Sequence, residues 1–223
     1  MSRMKERLKR LIKSTPLYRP LNNWMTRRRQ TRELVEWERR GRGGNPPHLV
    51  KQDVLRKHAA QYNLRTLVET GTHFGDMVEA MKGSFDKIYS IELSQELFEQ
   101  AKRRFRKDPR VELIHGDSGA ELGKIMKRIS QPTLFWLDGH YSGQETAKGQ
   151  KETPICEELD HIFDAPDLGH VIIIDDARCF GSLASYPAID ELKKRILSRR
   201  KHARIAVEQD SIRITPSFRP NEG

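Results

Sequence analysis

Long apolar runs and cysteines are scarce in this sequence. No apolar run approaches the ~20 residues that a membrane-spanning helix needs, and the mean hydropathy is −0.75. The basic start, residues 1–13, lacks the apolar core and small-residue cleavage site of an export signal. The two cysteines, Cys156 and Cys179, form no Cys-x-x-Cys pair, so neither a disulfide framework nor a zinc site is predicted. We therefore expect a cytoplasmic protein.

The positive charge is confined to one part of the chain. Residues 1–44 contain 14 Lys or Arg and 4 acidic residues, which accounts for the whole net charge of +10. The other residues are formally neutral, so the high isoelectric point does not by itself indicate a nucleic-acid-binding domain. Residues 41–47 contain three glycines and two prolines and predict a linker. We predict a basic helical arm over residues 1–44 and one globular domain over residues 45–223.

Apolar residues recur at helical spacing in two segments of the arm, residues 4–12 and 24–40. A basic amphipathic arm can pack on the domain or on a second copy of the chain as a homodimer. It can also contact nucleic acid or an anionic membrane surface. The neutral domain makes packing or dimerisation the favoured interpretation, and the other two partners stay open.

From His48 onward, strand patterns alternate with helical patterns. Such alternation implies a mostly parallel sheet with helices on both faces, and the last two strands are expected to pair antiparallel. The predicted fold is α/β, a Rossmann-like doubly wound sheet of about seven strands with a basic helical extension. The predicted strands are 64–69, 87–92, 110–114, 133–137, 171–174, 204–207 and 211–214, and the predicted helices are 49–61, 76–82, 95–106, 118–129, 152–163 and 187–200.

The segment around Glu69 predicts a ligand-binding corner. An apolar strand runs up to Glu69, Gly71 and Gly75 follow, and a helical pattern begins at once. Glycine allows a tight turn and a close approach to a ligand, and the start of a helix offers unpaired N–H groups. The order strand, glycine turn, helix is typical of nucleotide-type binding sites.

Acidic residues lie at or just after the ends of five successive predicted strands. Ligands of open α/β sheets bind outside the carboxyl ends of the strands, near the point where the strand order reverses. A single acid there is often a helix cap, but five sets of like charges on one edge repel one another. Capping alone therefore does not account for them. They are Glu69, Glu92, Asp117, Asp138 and the pair Asp175 and Asp176.

Four motifs follow one another along the chain: Glu-x-Gly-x-x-x-Gly, an acid at the end of strand two, Gly-Asp-Ser and Leu-Asp-Gly-His-Tyr. Their order resembles that of the class I S-adenosylmethionine-dependent methyltransferases. The resemblance covers roughly residues 64–180. It implies that Glu92 binds both ribose hydroxyls, because a carboxylate accepts two hydrogen bonds in one plane. It also implies that Asp117 and Ser118 contact the adenine. The corner and strand four supply the remaining predicted cofactor contacts, which are Glu69, Gly71, Thr72, Gly75 and Asp138. His73 departs from the family, in which many members have a glycine at that position.

NAD is the competing cofactor, since it also places an acid on a ribose. A pyrophosphate favours Gly-x-Gly-x-x-Gly before a helix N-terminus, whereas this chain has Gly-x-x-x-Gly followed by Asp76. S-adenosylmethionine carries a sulfonium cation and no phosphate. The acid-rich edge therefore favours the methyl donor.

Asp138, Asp175 and Asp176 resemble the magnesium ligands of metal-dependent small-molecule O-methyltransferases. The resemblance implies that Mg²⁺ binds the acceptor hydroxyl, lowers its pKa and orients it. Asp138 and His140 are then the candidate catalytic residues, with His140 as general base. The alternative stays open that Asp176 is a turn cap, that His140 is structural and that no metal binds. The loop 142–153, with Arg178 and Phe180 opposite, is expected to cover the acceptor.

The predicted function is transfer of a methyl group from S-adenosylmethionine to a hydroxyl of a small molecule, such as a sugar or a secondary metabolite. Two alternatives remain: an RNA- or protein-modifying methyltransferase that docks through the arm, and a non-catalytic cofactor-binding module. Three histidines outside these motifs, His115, His161 and His170, are predicted to lie at the surface or in turns.

Overall fold

The computed structural model describes residues 18–138 and 153–217, with side chains from residue 28 onward. The chain divides into two compact units, Met1–Lys51 and Gln52–Gly223. The proposed separation of an arm over residues 1–44 stays a prediction. No helix among the described residues is long and apolar enough to span a membrane.

The first unit contains helix α1, Tyr18–Arg39, which begins six residues before the predicted helix 24–40 and ends one residue before its predicted end. Pairs of opposite charge four residues apart line its last turns, including Arg29 with Glu33 and Arg40 with Glu36. Such exposed pairs add a few tenths of a kcal/mol each to a helix. The other predicted arm helix, residues 4–12, lies outside the described residues.

The remaining elements follow the predicted order, and their bounds differ from the predicted ones by up to three residues at each end. A single 3₁₀ turn, Ala177–Cys179, was not predicted. The strands are β1 Thr66–Thr70, β2 Lys87–Glu92, β3 Val111–His115, β4 Thr133–Leu137, β5 Val171–Ile174, β6 Arg204–Glu208 and β7 Ser211–Thr215. The helices are α2 His48–Gln61, α3 Asp76–Met81, α4 Gln95–Phe105, α5 Ser118–Met126, α6 Ile155–Asp164 and α7 Ile189–Arg199.

The seven strands form one sheet in the order β3-β2-β1-β4-β5-β7-β6. The first five are parallel, and β7 pairs antiparallel with both β5 and β6. The chain moves outward from β1 to β3 and then returns to β4 on the other side of β1. The predicted doubly wound, mostly parallel α/β fold is confirmed, and its reversal point lies between β1 and β4, where such sheets bind ligands.

Alternate residues of the central strands enter two apolar layers, one on each face of the sheet. Val68 and Phe135 pack with α5, α6 and α7, whereas Leu67 and Trp136 pack with α2, α3 and α4. Side chains alternate between the two faces of a strand, so one register of β1 and β4 serves both layers. Trp136 is 1% exposed, and it belongs to the core as its position in an apolar strand suggests.

Two of the three histidines are less exposed than predicted. His170 is buried against Phe135, accepts a hydrogen bond from the N–H of Thr133 at 3.2 Å, and has its pKa lowered to about 4 by burial. His161 is half-buried, and its Nε2 lies 2.7 Å from the carbonyl oxygen of Gly119. Only His115 is exposed. His161 thus joins α6 to the first turn of α5, beside the predicted adenine site.

Candidate cofactor and metal site

The glycine corner joins the end of β1 to the start of α3. Gly71 and Gly75 have φ angles of +83° and +76°, a left-handed conformation that favours glycine. The N–H groups of Gly71 and Thr72 donate to the carbonyl oxygen of Ile91 at 3.0 and 3.1 Å. The turn is thereby fixed against the end of β2, next to the predicted ribose acid.

Replacing Gly75 by alanine should destabilise the corner. An added Cβ would lie 2.5 Å from Cε2 of Phe105, and the backbone has positive φ. We expect the free energy of unfolding to fall by roughly 2–4 kcal/mol, from strain and overpacking together. Urea unfolding measures this. Gly83→Ala is the control, because no described atom lies within 4 Å of its added Cβ; equal stability of the two variants would contradict the packing argument.

His73 acts in the corner through its backbone. Its N–H donates to Oε2 of Glu92 at 2.7 Å, and the N–H of Ser94 donates to Oε1 at 2.8 Å. His73 itself adopts the left-handed conformation, with φ +50°, and its exposed ring packs on Phe74 with centroids 4.0 Å apart. The side chain is therefore not needed for the turn. Two backbone donors hold the buried Glu92 carboxylate in one orientation, which is the preorganisation that a ribose diol requires.

Glu69 lies beneath the corner. It is 1% exposed, and its carboxyl group accepts a hydrogen bond from the hydroxyl of Ser90, its register neighbour on β2. The Ser90 hydroxyl also lies 2.6 Å from that of Thr72. Burial, together with the charges of Asp138 and Glu92, raises the pKa of Glu69 to about 8. Glu69 thus anchors the turn in its neutral form at pH 7, and its contact with a cofactor stays a prediction.

The buried Glu69 gives the protein a pH-dependent stability. An ordinary glutamate ionises near pH 4.5, whereas Glu69 keeps its proton in the folded protein up to about pH 8. The unfolded state therefore binds fewer protons between these values, so this group lowers the free energy of unfolding as pH rises through that window. Glu69→Gln should show a smaller decrease, because glutamine does not ionise. At pH 8 its free energy of unfolding should exceed that of the wild type by on the order of a few kcal/mol. Thermal unfolding at pH 5 to 8 tests this, with exposed Glu96→Gln as control; parallel curves for wild type and Glu69→Gln would refute it.

The predicted adenine residues lie at the start of α5. Asp117 precedes the helix in an extended conformation and makes no side-chain capping bond among the described residues. Ser118 is buried, and its hydroxyl bonds to Glu158 on α6. The half-buried Asp117 carboxylate, which does not serve as a cap, is positioned at the carboxyl edge of the sheet where an adenine amino group is expected.

Glu158 is a candidate site residue that the motifs did not reveal. It is 1% exposed and receives hydrogen bonds from Ser118 and Thr70. Burial and the charges of Asp117 and Asp138 raise its pKa to about 7, although the two hydrogen bonds oppose this. Its Oε1 has no hydrogen-bond partner in the described part of the chain. The sequence signal was available, because Glu158 interrupts an apolar helical stripe formed by Ile155, Leu159 and Ile162.

The three predicted metal ligands converge. Leu137 and Ile174 are register partners, so Asp138 and Asp175 follow β4 and β5 at the same level. One ligand atom from each of Asp138, Asp175 and Asp176 lies within 4.8 Å of the others. Asp175 and Asp176 are 4% and 2% exposed, and Asp138 is half-buried. The N–H of Asp138 lies 3.2 Å from the Thr70 hydroxyl, which joins this cluster to the corner.

The chemistry of this cluster fits a hard divalent cation. Three carboxylates supply the oxygen ligands that Mg²⁺ prefers, and water can complete an octahedron. Glu158, whose Oε1 has no hydrogen-bond partner among the described residues, is one of the residues that line a small cavity together with Asp138, Asp175 and Tyr186. Asp176 precedes the 3₁₀ turn with φ +56° and makes no side-chain cap to that turn among the described residues. The alternative role of Asp176 as a side-chain cap is therefore not supported.

The expected surroundings of the acceptor stay a prediction. The guanidinium of Arg178 bonds to Asp176, a residue of the aspartate cluster, and to Asp210. Phe180 is 5% exposed and packs edge-on against Tyr186, with centroids 5.1 Å apart. His140, the predicted general base, and residues 142–152 of the loop lie outside the described residues.

Solved structures of other proteins share the fold of this chain, but those described below have low sequence identity with it. No protein-family model matches the sequence, and no curated protein matches it. The O-methyltransferase TomG from Streptomyces achromogenes, which is involved in tomaymycin synthesis and was solved with S-adenosylmethionine, has a TM-score of 0.56 at 14% identity over 84% of this chain and 88% of TomG. A Bacillus cereus O-methyltransferase in complex with S-adenosylhomocysteine has a TM-score of 0.52 at 14% identity, over 83% of this chain and 90% of its own.

A third similar structure is the S-adenosylhomocysteine-bound methyltransferase PaMTH1 from Podospora anserina. Its TM-score is 0.50 at 14% identity, over 75% of this chain and 78% of its own. Together with the strand order, these similarities establish that the chain has the fold of the class I S-adenosylmethionine-dependent methyltransferases. The resemblance drawn from the motifs is confirmed at the level of the fold.

Proposed function

We propose that this protein is an S-adenosylmethionine-dependent methyltransferase that methylates a hydroxyl of a small molecule, such as a sugar or a secondary metabolite, with the help of a divalent metal. The observation that carries the proposal is that Glu92, Asp117 and a converging cluster of three aspartates lie at or just after the carboxyl ends of the parallel strands, on the edge of the sheet that contains the reversal point between β1 and β4. Two half-buried thiols, Cys156 and Cys179, suit a reducing cytoplasm.

The charge of this edge supports the methyl donor over a dinucleotide. Glu92 is fixed by two backbone N–H groups with its carboxylate next to the glycine corner. Asp76 begins α3, and its carboxylate pairs with Arg104 at 2.7 Å. The first turn of α3 also contains Glu79, so a phosphate there would meet two carboxylates. A sulfonium cation meets no such penalty.

Proposed roles on the acceptor side follow from the cluster of aspartates. Asp138, Asp175 and Asp176 would hold Mg²⁺, which supplies a positive charge that lowers the pKa of a bound hydroxyl. Asp138 connects this cluster to the cofactor corner through Thr70, so it is suited to orient the reacting groups. His140 is proposed as the general base on its place in the sequence alone.

The arm is proposed to contribute packing or homodimer contacts. Docking of the arm on nucleic acid or on an anionic membrane remains the alternative. The neutral charge of residues 45–223 gives neither partner additional support. The salt dependence of activity separates these choices, because phosphate contacts weaken steeply with salt and contacts with a neutral small molecule do not.

Labelled methyl transfer tests the proposed function directly. The full-length protein is incubated with methyl-labelled S-adenosylmethionine and Mg²⁺, and with panels of sugars, phenols, RNA and protein. Transfer to a small-molecule hydroxyl, with little change between 50 and 300 mM salt, is the expected result. Transfer only to RNA or protein would replace this proposal with the docking alternative. Binding of S-adenosylhomocysteine without transfer to any acceptor in the panels would favour the non-catalytic module.

A further inference from the structure

Arg178 connects the aspartate cluster to the turn between β6 and β7. Its Nη1 donates to Oδ1 of Asp176 at 2.7 Å and also to Oδ2 of Asp210, which lies in that turn. The Arg178 guanidinium is therefore shared between one residue of the cluster and one residue outside it. Arg178 is 44% exposed, whereas the side chains of Asp176 and Asp210 are 3% and 8% exposed.

The backbone of this connection is held independently of the guanidinium. The N–H of Arg178 donates to Oδ1 of Asp210 at 2.9 Å, and the N–H of Ala177 donates to the carbonyl oxygen of Asp210 at 2.8 Å. Asp176 and Asp210 both have left-handed backbones, with φ +56° and +57°. The turn thus positions Asp176 through two hydrogen bonds donated by main-chain N–H groups, and neither bond uses the side chain of Arg178.

The ion pair has a consequence for cation binding. Asp176 contributes an oxygen to the cluster with Asp138 and Asp175, and a cation held there would attract the same carboxylate as the guanidinium of Arg178. Two cations near one carboxylate repel each other, so pairing with Arg178 and binding of a metal oppose each other. Asp210 offers the guanidinium a second carboxylate, which competes with Asp176 for the same Nη1.

We propose that Arg178 and Asp210 are positioning residues that set the affinity of the aspartate cluster for a divalent cation, with Arg178 weakening it and Asp210 restoring it. The inference rests on the proposed metal site, beside which the buried Glu158, with an unpartnered Oε1, lines the same small cavity as Asp138 and Asp175. It predicts effects of opposite sign for the two partners of one ion pair. A purely structural clamp would weaken binding when either partner is replaced.

Titration of the full-length protein with Mn²⁺ tests this inference without an activity assay. Binding is measured by calorimetry and by the electron paramagnetic resonance signal of unbound Mn²⁺. Arg178→Gln should tighten Mn²⁺ binding roughly three- to tenfold, which corresponds to about one partly exposed ion pair. Asp210→Asn retains Oδ1 and the main-chain carbonyl oxygen as acceptors for the two N–H groups, but it replaces Oδ2, the acceptor of the Arg178 guanidinium, by an uncharged NH2 group. It should therefore weaken Mn²⁺ binding by a similar factor. Arg178→Lys should retain wild-type affinity, and Arg195→Gln is a control for loss of an exposed arginine.

The outcomes separate this inference from the proposed function. A wild-type protein that binds no Mn²⁺ would overturn both the inference and the metal-assisted part of the function. Wild-type binding that weakens in Arg178→Gln would overturn the inference alone and assign Arg178 to a structural clamp, and unchanged affinity in that variant would also overturn it. Circular dichroism shows whether Asp210→Asn folds. If it does not, the inference is still decided by whether Arg178→Gln tightens or weakens Mn²⁺ binding.

Discussion

Glu92→Ala should weaken binding of S-adenosylhomocysteine by at least about 100-fold. The variant removes two acceptor oxygens for a ribose diol, and hydrogen bonds to a charged group contribute about 1.5–3 kcal/mol each. It also leaves the N–H groups of His73 and Ser94 without the carboxylate that they hold. Calorimetric titration of the wild type and the variant measures the change in dissociation constant.

Glu96→Ala is the matched control, because Glu96 is an exposed glutamate in the first turn of the next helix. It should bind the cofactor product as the wild type does. Thermal unfolding checks that Glu92→Ala remains folded, and Glu92→Gln keeps the shape of the side chain if it does not. If a folded Glu92→Ala protein binds S-adenosylhomocysteine with a dissociation constant within threefold of the wild-type value, Glu92 does not bind the ribose. Tight binding of NAD by the wild type would instead overturn the cofactor assignment.

The fold was predictable because its determinants are local and repeated. Each of the five parallel strands is a short, largely apolar run with an acid close to its end, and each run is separated from the next by an apolar helical stripe. Alternation of this kind allows few arrangements other than a doubly wound sheet. The pairing of β4 with β5 then brings the aspartates together, since Asp138 and Asp175 directly follow register partners.

The details that were missed depend on long-range pairing or on the backbone. No local motif predicts the ion pair of Arg178 with Asp210, because Asp210 lies 32 residues further along the chain. His73 had no predicted role, because its contribution is a main-chain N–H and not a side chain. Glu158 looked like an ordinary helix acid, although its place on an apolar stripe implied burial. A charged residue on a buried stripe is thus a usable sequence signal for a site.

Asp175→Asn should abolish the metal dependence of methyl transfer. The substitution is nearly isosteric and removes one negative ligand from a cluster whose atoms lie within 4.8 Å. We expect kcat/KM for a small-molecule acceptor to fall at least about 100-fold, which corresponds to loss of about 3 kcal/mol or more of transition-state stabilisation. Asp175 is preferred to Asp138 for this test because Asp138 is also a candidate cofactor contact, so its loss would mix two effects.

Two comparisons give the Asp175→Asn result its meaning. A chelator should lower the wild-type rate to about the level of the variant and should have no further effect on the variant, since both remove the same metal. Binding of S-adenosylhomocysteine should be unchanged, which separates a metal ligand from a cofactor contact. Asp190→Asn, which replaces an exposed aspartate paired with Lys193, is the control. If a chelator does not slow turnover by the wild type, the reaction needs no metal. The three aspartates would then be negatively charged residues that line a metal-free acceptor site.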